Sequence, residues 1–211
     1  MADIEAVLFD FGGVILSSPF EAFAAYERDL GLPAGFIRGL NATNPDANAW
    51  AQMERGAVDF DEFCHLFESE ARAAGYEIDA RTVIALLRGE LRPAMVEAVR
   101  RCGERLKTAL LTNNFATVQE RDSDVAHVVE LFDVVVESST VGVRKPDPHF
   151  YEISCELLGI EPSAAVFLDD LGVNLKPAKA LGMHTIKVVD PDDALAQLEA
   201  VVGFPLRADA A

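Results

Sequence analysis

Carboxylates, a lysine, a threonine and an asparagine stand in this chain at the ends of four apolar stretches, and those residue types can together handle a phosphoryl group. Residues 6–9 lead into Asp10, with Gly12 and Gly13 just beyond; residues 109–111 lead into Thr112-Asn113-Asn114. Gly142-Val143 precedes Arg144-Lys145-Pro146, and residues 165–168 lead into Asp169-Asp170. Apolar runs of this length, bounded by Gly, Asn or Asp, read as buried strands of a parallel sheet. Ligands of such sheets bind outside the carboxyl ends of the strands. A nucleophile, a hydroxyl, a cation and a carboxylate pair would then meet at one edge.

Asp10 follows a strand, and Gly12 and Gly13 allow the backbone to turn tightly beside a ligand. An aspartate so placed can attack phosphorus and form an acyl-phosphate that water hydrolyses, or it can simply cap the turn. Adjacent carboxylates at Asp169 and Asp170 repel one another, and a cation relieves that repulsion. With Asp10 they offer the hard oxygen ligands that suit Mg²⁺. Thr112 and Asn113 suit hydrogen bonds to phosphate oxygens, and equally suit the N-cap of a following helix. Lys145 sits where Pro146 fixes an extended approach and Pro148 suits a helix start; its charge would neutralise both nucleophile and phosphoryl group. Asn174 can hydrogen-bond to the acidic loop or serve as a turn residue. His65, His127, His149 and His184 show no metal-ligand spacing, and none is assigned to chemistry.

The elements that must position these groups alternate. The pattern gives a first strand within residues 5–15, then helices at 94–104, 118–130, 148–158, 175–181 and 192–202 between strands at 108–112, 134–137, 165–168 and 184–189. That alternation implies right-handed βαβ units: an α/β, Rossmann-like, doubly wound parallel sheet. Residues 17–90 break the alternation with helical spacing only. Phe20, Phe23, Ala24 and Leu30 make one apolar face, Phe60, Phe63, Cys64 and Phe67 a second, and Val83, Leu86 and Leu87 a third. Asp59 or Asp61 is the expected N-cap of the second. The expected division is a core of residues 1–16 and 91–211 and a small helical cap of residues 17–90. Trp50, Phe20 and Phe23 are expected in the core of the cap rather than on a ligand.

The bulk numbers narrow the function classes. In 211 residues, half are hydrophobic and the formal charge is −17, which suits a soluble globular chain and disfavours nucleic acid or an anionic membrane as partner. Arg144, Lys145 and a bound divalent cation would invert the field locally for an anionic substrate. Cys64, Cys102 and Cys155 are too widely spaced for a zinc motif and are expected as buried thiols. No basic stretch precedes an apolar segment near the N-terminus, and no apolar run reaches the ~18 residues of a membrane span. The default expectation is cytoplasmic, with residues 207–211 frayed.

Taken in order, Asp10, Thr112, Lys145 and Asp169-Asp170 resemble the motif set of the haloacid dehalogenase-like (HAD) hydrolase superfamily, and the likeness covers nearly the whole chain. Residues 168–178 are similar to the phosphatase lobe of soluble epoxide hydrolases, and residues 6–14 to the related lobe fused to some acyl-CoA dehydrogenases. The resemblance implies Asp10 as nucleophile and Mg²⁺ ligand, the backbone carbonyl of Gly12 as a second ligand and Asp170 as a third, supported by Asp169. It implies that Thr112 and Asn113 bind phosphate, that Lys145 orients the nucleophile, and that the Asp10 strand lies between those ending at Thr112 and Asp169. One position departs: most phosphatases of the superfamily carry an acid/base Asp where this chain has Gly12, a group typically worth ~10²–10⁴ in rate. The expected activity is a Mg²⁺-dependent phosphatase acting on a small phosphorylated metabolite, as a monomer or weak homodimer. Two alternatives stand beside it: a metal-independent 2-haloacid dehalogenase, and a non-catalytic module that binds a phosphate ligand.

Overall fold

The computed structural model describes residues 3–113 and 123–207. Five strands, β1 (Ala6–Phe9), β2 (Lys107–Thr112), β3 (Val134–Glu137), β4 (Ala165–Asp169) and β5 (His184–Lys187), pair in parallel in the order β3-β2-β1-β4-β5. The Asp10 strand is therefore central, between the strands ending at Thr112 and Asp169, as the resemblance implied. Successive side chains of a strand point to opposite faces. Val7, Phe9, Val166 and Leu168 pack under α6 (Pro93–Gly103) and α11 (Pro191–Val202). Ala6, Leu8, Ala165 and Phe167 pack under α9 (Pro148–Leu158) and α10 (Gly172–Ala180). Because helices cover both faces, the central strands are apolar throughout rather than alternating.

The insertion holds α1 (Phe20–Asp29), α2 (Phe36–Ala42), α3 (Ala49–Glu54), α4 (Phe60–Ala73) and α5 (Ala80–Ala85) around its own apolar cluster. Phe63 and Phe67, one turn apart on α4, stack at 5.4 Å, and the Trp50 ring meets their edges at 5.6 and 5.5 Å. Asp59 caps α4 by accepting from the Glu62 N–H at 2.8 Å. Buried Glu27 accepts from the N–H groups of Gly35 and Ile37, which tie down the start of α2. Leu16 bridges antiparallel to Leu91, and the Ser17 N–H donates to the Glu90 carbonyl at 2.8 Å, so both connections to the sheet run side by side.

Several boundaries differ from the sequence pattern. α2 and α3, of seven and six residues, were not expected, because so short a helix shows too little periodicity. Leu30 is not on the buried face of α1; it follows the helix and is 50% exposed. Helix α10 starts at Gly172, ahead of the expected 175, and β5 ends at Lys187 rather than 189. Of the helix expected over 118–130, residues 118–122 lie outside the described residues, and the described part is α7 (Ser123–Val129). A single turn, α8 (Ser138–Val141), follows β3. Phe23 is buried in the insertion's cluster, with Phe20 and Trp50 packed against it, and all three cysteines are buried.

Candidate active site

Strand register brings the acidic groups together. Phe9 pairs with Leu168 on one side and Leu110 on the other, and the Asp10 N–H donates to the Leu168 carbonyl at 2.9 Å. Asp10 and Asp169 thus leave adjacent strands at the same level. The chain turns at once after Asp10, whose Oδ1 accepts from the Phe11 N–H at 2.6 Å. Gly13 has φ +78°, and a Cβ built there would lie 2.3 Å from Oδ2 of Asp170. Only glycine fits that conformation and that approach. At Gly12 nothing lies within 4 Å of such a Cβ. The missing side chain of position 12 is therefore a chemical difference, not a steric need.

Lys145 reaches this edge from the loop between α8 and α9, with 1% of its surface exposed. Its Nζ lies 2.8 Å from Oδ1 of Asp10 and 2.9 Å from Oδ2 of Asp169, and donates to the Leu111 carbonyl at 2.9 Å. Three acceptors around one ammonium leave none of its donors to water. Asp169 is fully buried; its oxygens also accept from the Leu171 N–H at 2.8 Å and the Asn174 amide at 3.1 and 3.0 Å. Asn174 is held in turn by Tyr151, whose hydroxyl donates to its carbonyl at 2.7 Å.

Burial pushes Asp10 well above the usual carboxylate range, with Lys145 opposing and the charges of Asp169 and Asp170 adding to the rise. Burial alone would lower Lys145, but Asp10 and Asp169 outweigh it and hold its pKa up. Asp170 is pushed to about 6, by burial first and then by Asp169. In this cluster three carboxylates face one ammonium. Oxygens of Asp10, Asp169 and Asp170 all lie within 4.8 Å of one another. Asp169 is occupied by Lys145 and Asn174, whereas Asp170 accepts from its own backbone N–H. Such a cluster of hard carboxylate oxygens could hold a divalent cation of the Mg²⁺ type.

The other expected residues reach the same edge. Thr112 is buried at the end of β2. The Asn113 side chain is engaged with the chain at Lys145, accepting from its N–H at 2.9 Å and donating to its carbonyl at 3.0 Å. The Asn113 amide is thus taken up within the chain. Asn114 lies outside the described residues. Of the histidines, His149 is an exposed partner of Glu152. Sequence reasoning missed two participants. Arg92 donates to the Gly13 carbonyl at 2.5 Å and braces the turn, and Glu54, on the insertion, contacts Arg144 and Asn113. The spacing of Trp50 and Glu54, one helical turn apart, was the only signal for the latter.

A five-stranded parallel sheet carrying aspartates on its central strand ends and a buried lysine defines a class of hydrolase fold, and comparison with known proteins agrees. A model of the haloacid dehalogenase-like hydrolase family matches residues 4–182. The chain belongs to this family. It is 37% identical over 208 residues to acyl-CoA dehydrogenase family member 10 of Mus musculus, covering 96% of this chain and 19% of that protein. It is 32% identical to bifunctional epoxide hydrolase 2 of Sus scrofa, covering 96% and 40%. The chain thus spans well under half the length of these two relatives. It is 31% identical to phosphatase MT3486 of Mycobacterium tuberculosis, covering 88% of this chain and 87% of that protein. A HAD family enzyme of Bacteroides thetaiotaomicron, solved in complex with magnesium and inorganic phosphate, shares the fold with a TM-score of 0.59 at 19% identity, covering 87% and 93% of the two chains. Among the described residues, no helix is long and apolar enough to cross a membrane.

Proposed function

We propose that this hydrolase is a Mg²⁺-dependent phosphomonoester phosphatase that acts on a small phosphorylated metabolite through an aspartyl-phosphate on Asp10. The observation that carries the reading is Asp10 itself. Its Oδ1 is pinned between the Lys145 ammonium and the Phe11 N–H, which leaves Oδ2 as the attacking oxygen. Phosphatase relatives that match most of the chain support the same reaction class.

In this mechanism Oδ2 of Asp10 bonds to phosphorus as the ester P–O bond breaks in line, and the leaving alkoxide takes a proton from solvent because Gly12 offers none. Water then attacks the same phosphorus, the P–Oδ2 bond breaks, and phosphate leaves with the Asp10 carboxylate restored. Lys145 orients Asp10, opposes the protonation that burial favours, and offsets charge on the transferring group. The Thr112 hydroxyl and the Asn113 backbone N–H hold phosphoryl oxygens. Asp10, the Gly12 carbonyl and Asp170 would hold Mg²⁺, which when bound supplies charge neutralisation at the phosphoryl oxygens. The insertion, residues 17–90, acts as a cap that shapes the pocket and excludes water. Substrates whose leaving groups need no protonation suffer least from Gly12. The reading takes the cytoplasm as the compartment, neither nucleic acid nor membrane as a partner, and a monomer or weak homodimer as the working form.

The test is a panel of sugar, nucleotide and lipid phosphates assayed for phosphate release with Mg²⁺ and with chelator, beside 2-haloacids assayed for chloride. Phosphate release that requires Mg²⁺ is expected. Chloride release in chelator would assign the dehalogenase reaction instead, and phosphate binding without turnover would assign a binding module.

A further inference from the structure

We propose that Glu54, on the cap, is a positioning residue for Lys145, and that its pair with Arg144 is the latch through which cap placement reaches the reacting centre. Glu54 ends α3 and is buried although it belongs to the insertion. Its Oε2 accepts from the Arg144 guanidinium and from the Asn113 amide at 3.3 Å, its Oε1 accepts from the Trp50 indole N–H at 3.1 Å, and its carbonyl accepts from the Ser138 hydroxyl. Arg144 also donates to the Pro45 carbonyl, a second tie to the insertion. Arg144 is the residue before Lys145, and Asn113 is the residue clamped to both backbone groups of Lys145. One carboxylate of the cap therefore grips the lysine's segment from two sides. A half-buried guanidinium that loses its partner turns toward water or stays uncompensated. Either outcome shifts the backbone at Lys145, and with it the ammonium that fixes Asp10. Misplacement by about an ångström is enough to cost about a hundredfold in rate.

The kinetic arm of the test rests on the phosphatase reading, and the labelling arm does not. Full-length Glu54→Gln, Glu54→Ala, Arg144→Gln and the Glu54→Gln/Arg144→Gln double variant are compared with the parent. Hydrolysis of p-nitrophenyl phosphate with Mg²⁺ gives kcat and KM. Acetic anhydride labelling, mapped by mass spectrometry, reports whether Lys145 stays protected, with Lys107 as internal control. Trp50, the chain's one tryptophan, reports by its emission whether its indole still faces the carboxylate.

The expected result is a fall in kcat of about tenfold for Glu54→Gln and about a hundredfold for Glu54→Ala, with KM changed by less than about threefold. Lys145 labelling should rise in both while Lys107 labelling stays constant, and the double variant should be no worse than the worse single one. A residue that merely stabilises the fold would lower the melting temperature and leave kcat and Lys145 protection alone, and that outcome overturns the proposal. So does multiplication of the two single losses. If the parent hydrolyses no phosphomonoester, the phosphatase reading falls, while unchanged or increased Lys145 labelling still decides the latch. Where Glu54→Ala fails to fold, Glu54→Gln, which keeps the side-chain shape, carries the decision.

Discussion

The carboxyl edge of the sheet and the helical cap are built on opposite terms. At the edge, Asp10 and Asp169 leave paired strands at the same level, and the Lys145 ammonium lies within 3 Å of both. The cap is held by aromatic and aliphatic packing around Phe63, Phe67 and Trp50. The cap's buried charges, Glu27 and Glu54, serve its joints: one starts α2, and the other meets the sheet-bearing domain. The contrast separates two tasks. Rigid strand ends can hold polar groups to a fraction of an ångström, whereas an apolar bundle can change its surface residues without disturbing them.

The largest effect should come from Lys145→Met. It removes the one ammonium among three carboxylates, and breaking a buried pair in this way costs about 3–5 kcal/mol. Denaturant unfolding should show that loss, together with loss of all turnover; retention of either would show that Lys145 is not the electrostatic centre. Phe63→Ala attacks the other region. Emptying a fully buried phenylalanine site should cost about 3–5 kcal/mol, while Mg²⁺ binding measured by calorimetry stays close to the parent's. If Mg²⁺ affinity collapsed as well, the two regions would not be separable.

Gly13→Ala and Gly12→Ala sharpen the comparison within one turn. The first forces a side chain to φ +78° and into the Asp170 carboxylate, and should cost about 1–3 kcal/mol and weaken Mg²⁺ binding. The second meets open space at φ −69° and should leave stability nearly unchanged. Equal losses would mean that the turn itself, not the approach to Asp170, is what selects glycine.

A smaller effect should appear in the pH dependence of stability. Asp170 is raised to about 6 in the folded chain, against about 3.9 for an unfolded aspartate. The folded state therefore holds its proton more tightly. That contribution is fully present below about pH 3.9 and is lost as pH rises through about 6. With chelator, the melting temperature should drift down across that interval from this group. Mg²⁺ binds the ionised form, so saturating Mg²⁺ should flatten or reverse the drift. Identical profiles with and without Mg²⁺ would place Asp170 away from the cation.

Sequence alone carried the edge further than the cap. The three central strands announce themselves because both faces are covered, so residues 6–9 and 165–168 read as unbroken apolar runs ending in Asp. Helix α9, between Pro148 and Gly159, was legible to the residue for the same reason of clear punctuation. In the cap, α4 was visible through its four-residue aromatic spacing and its Asp59 cap. The short helices α2 and α3 were not, since their starts depend on Glu27 from another helix and on Asn48 rather than on any periodic run. Leu30 looked like core because apolarity was taken for burial. Glu54 was missed because a lone glutamate in a helix is ordinarily solvated; only the fold brings Arg144, ninety residues on, to meet it.

The most direct measurement is an acid quench of the protein during turnover of p-nitrophenyl phosphate with Mg²⁺, followed by peptide mass spectrometry of parent and Asp10→Asn. One phosphoryl group on the peptide bearing Asp10 in the parent, with neither adduct nor turnover in Asp10→Asn, is the result predicted. A phosphoryl group on another residue, or hydrolysis by Asp10→Asn at the parent's rate, would contradict the account at its centre.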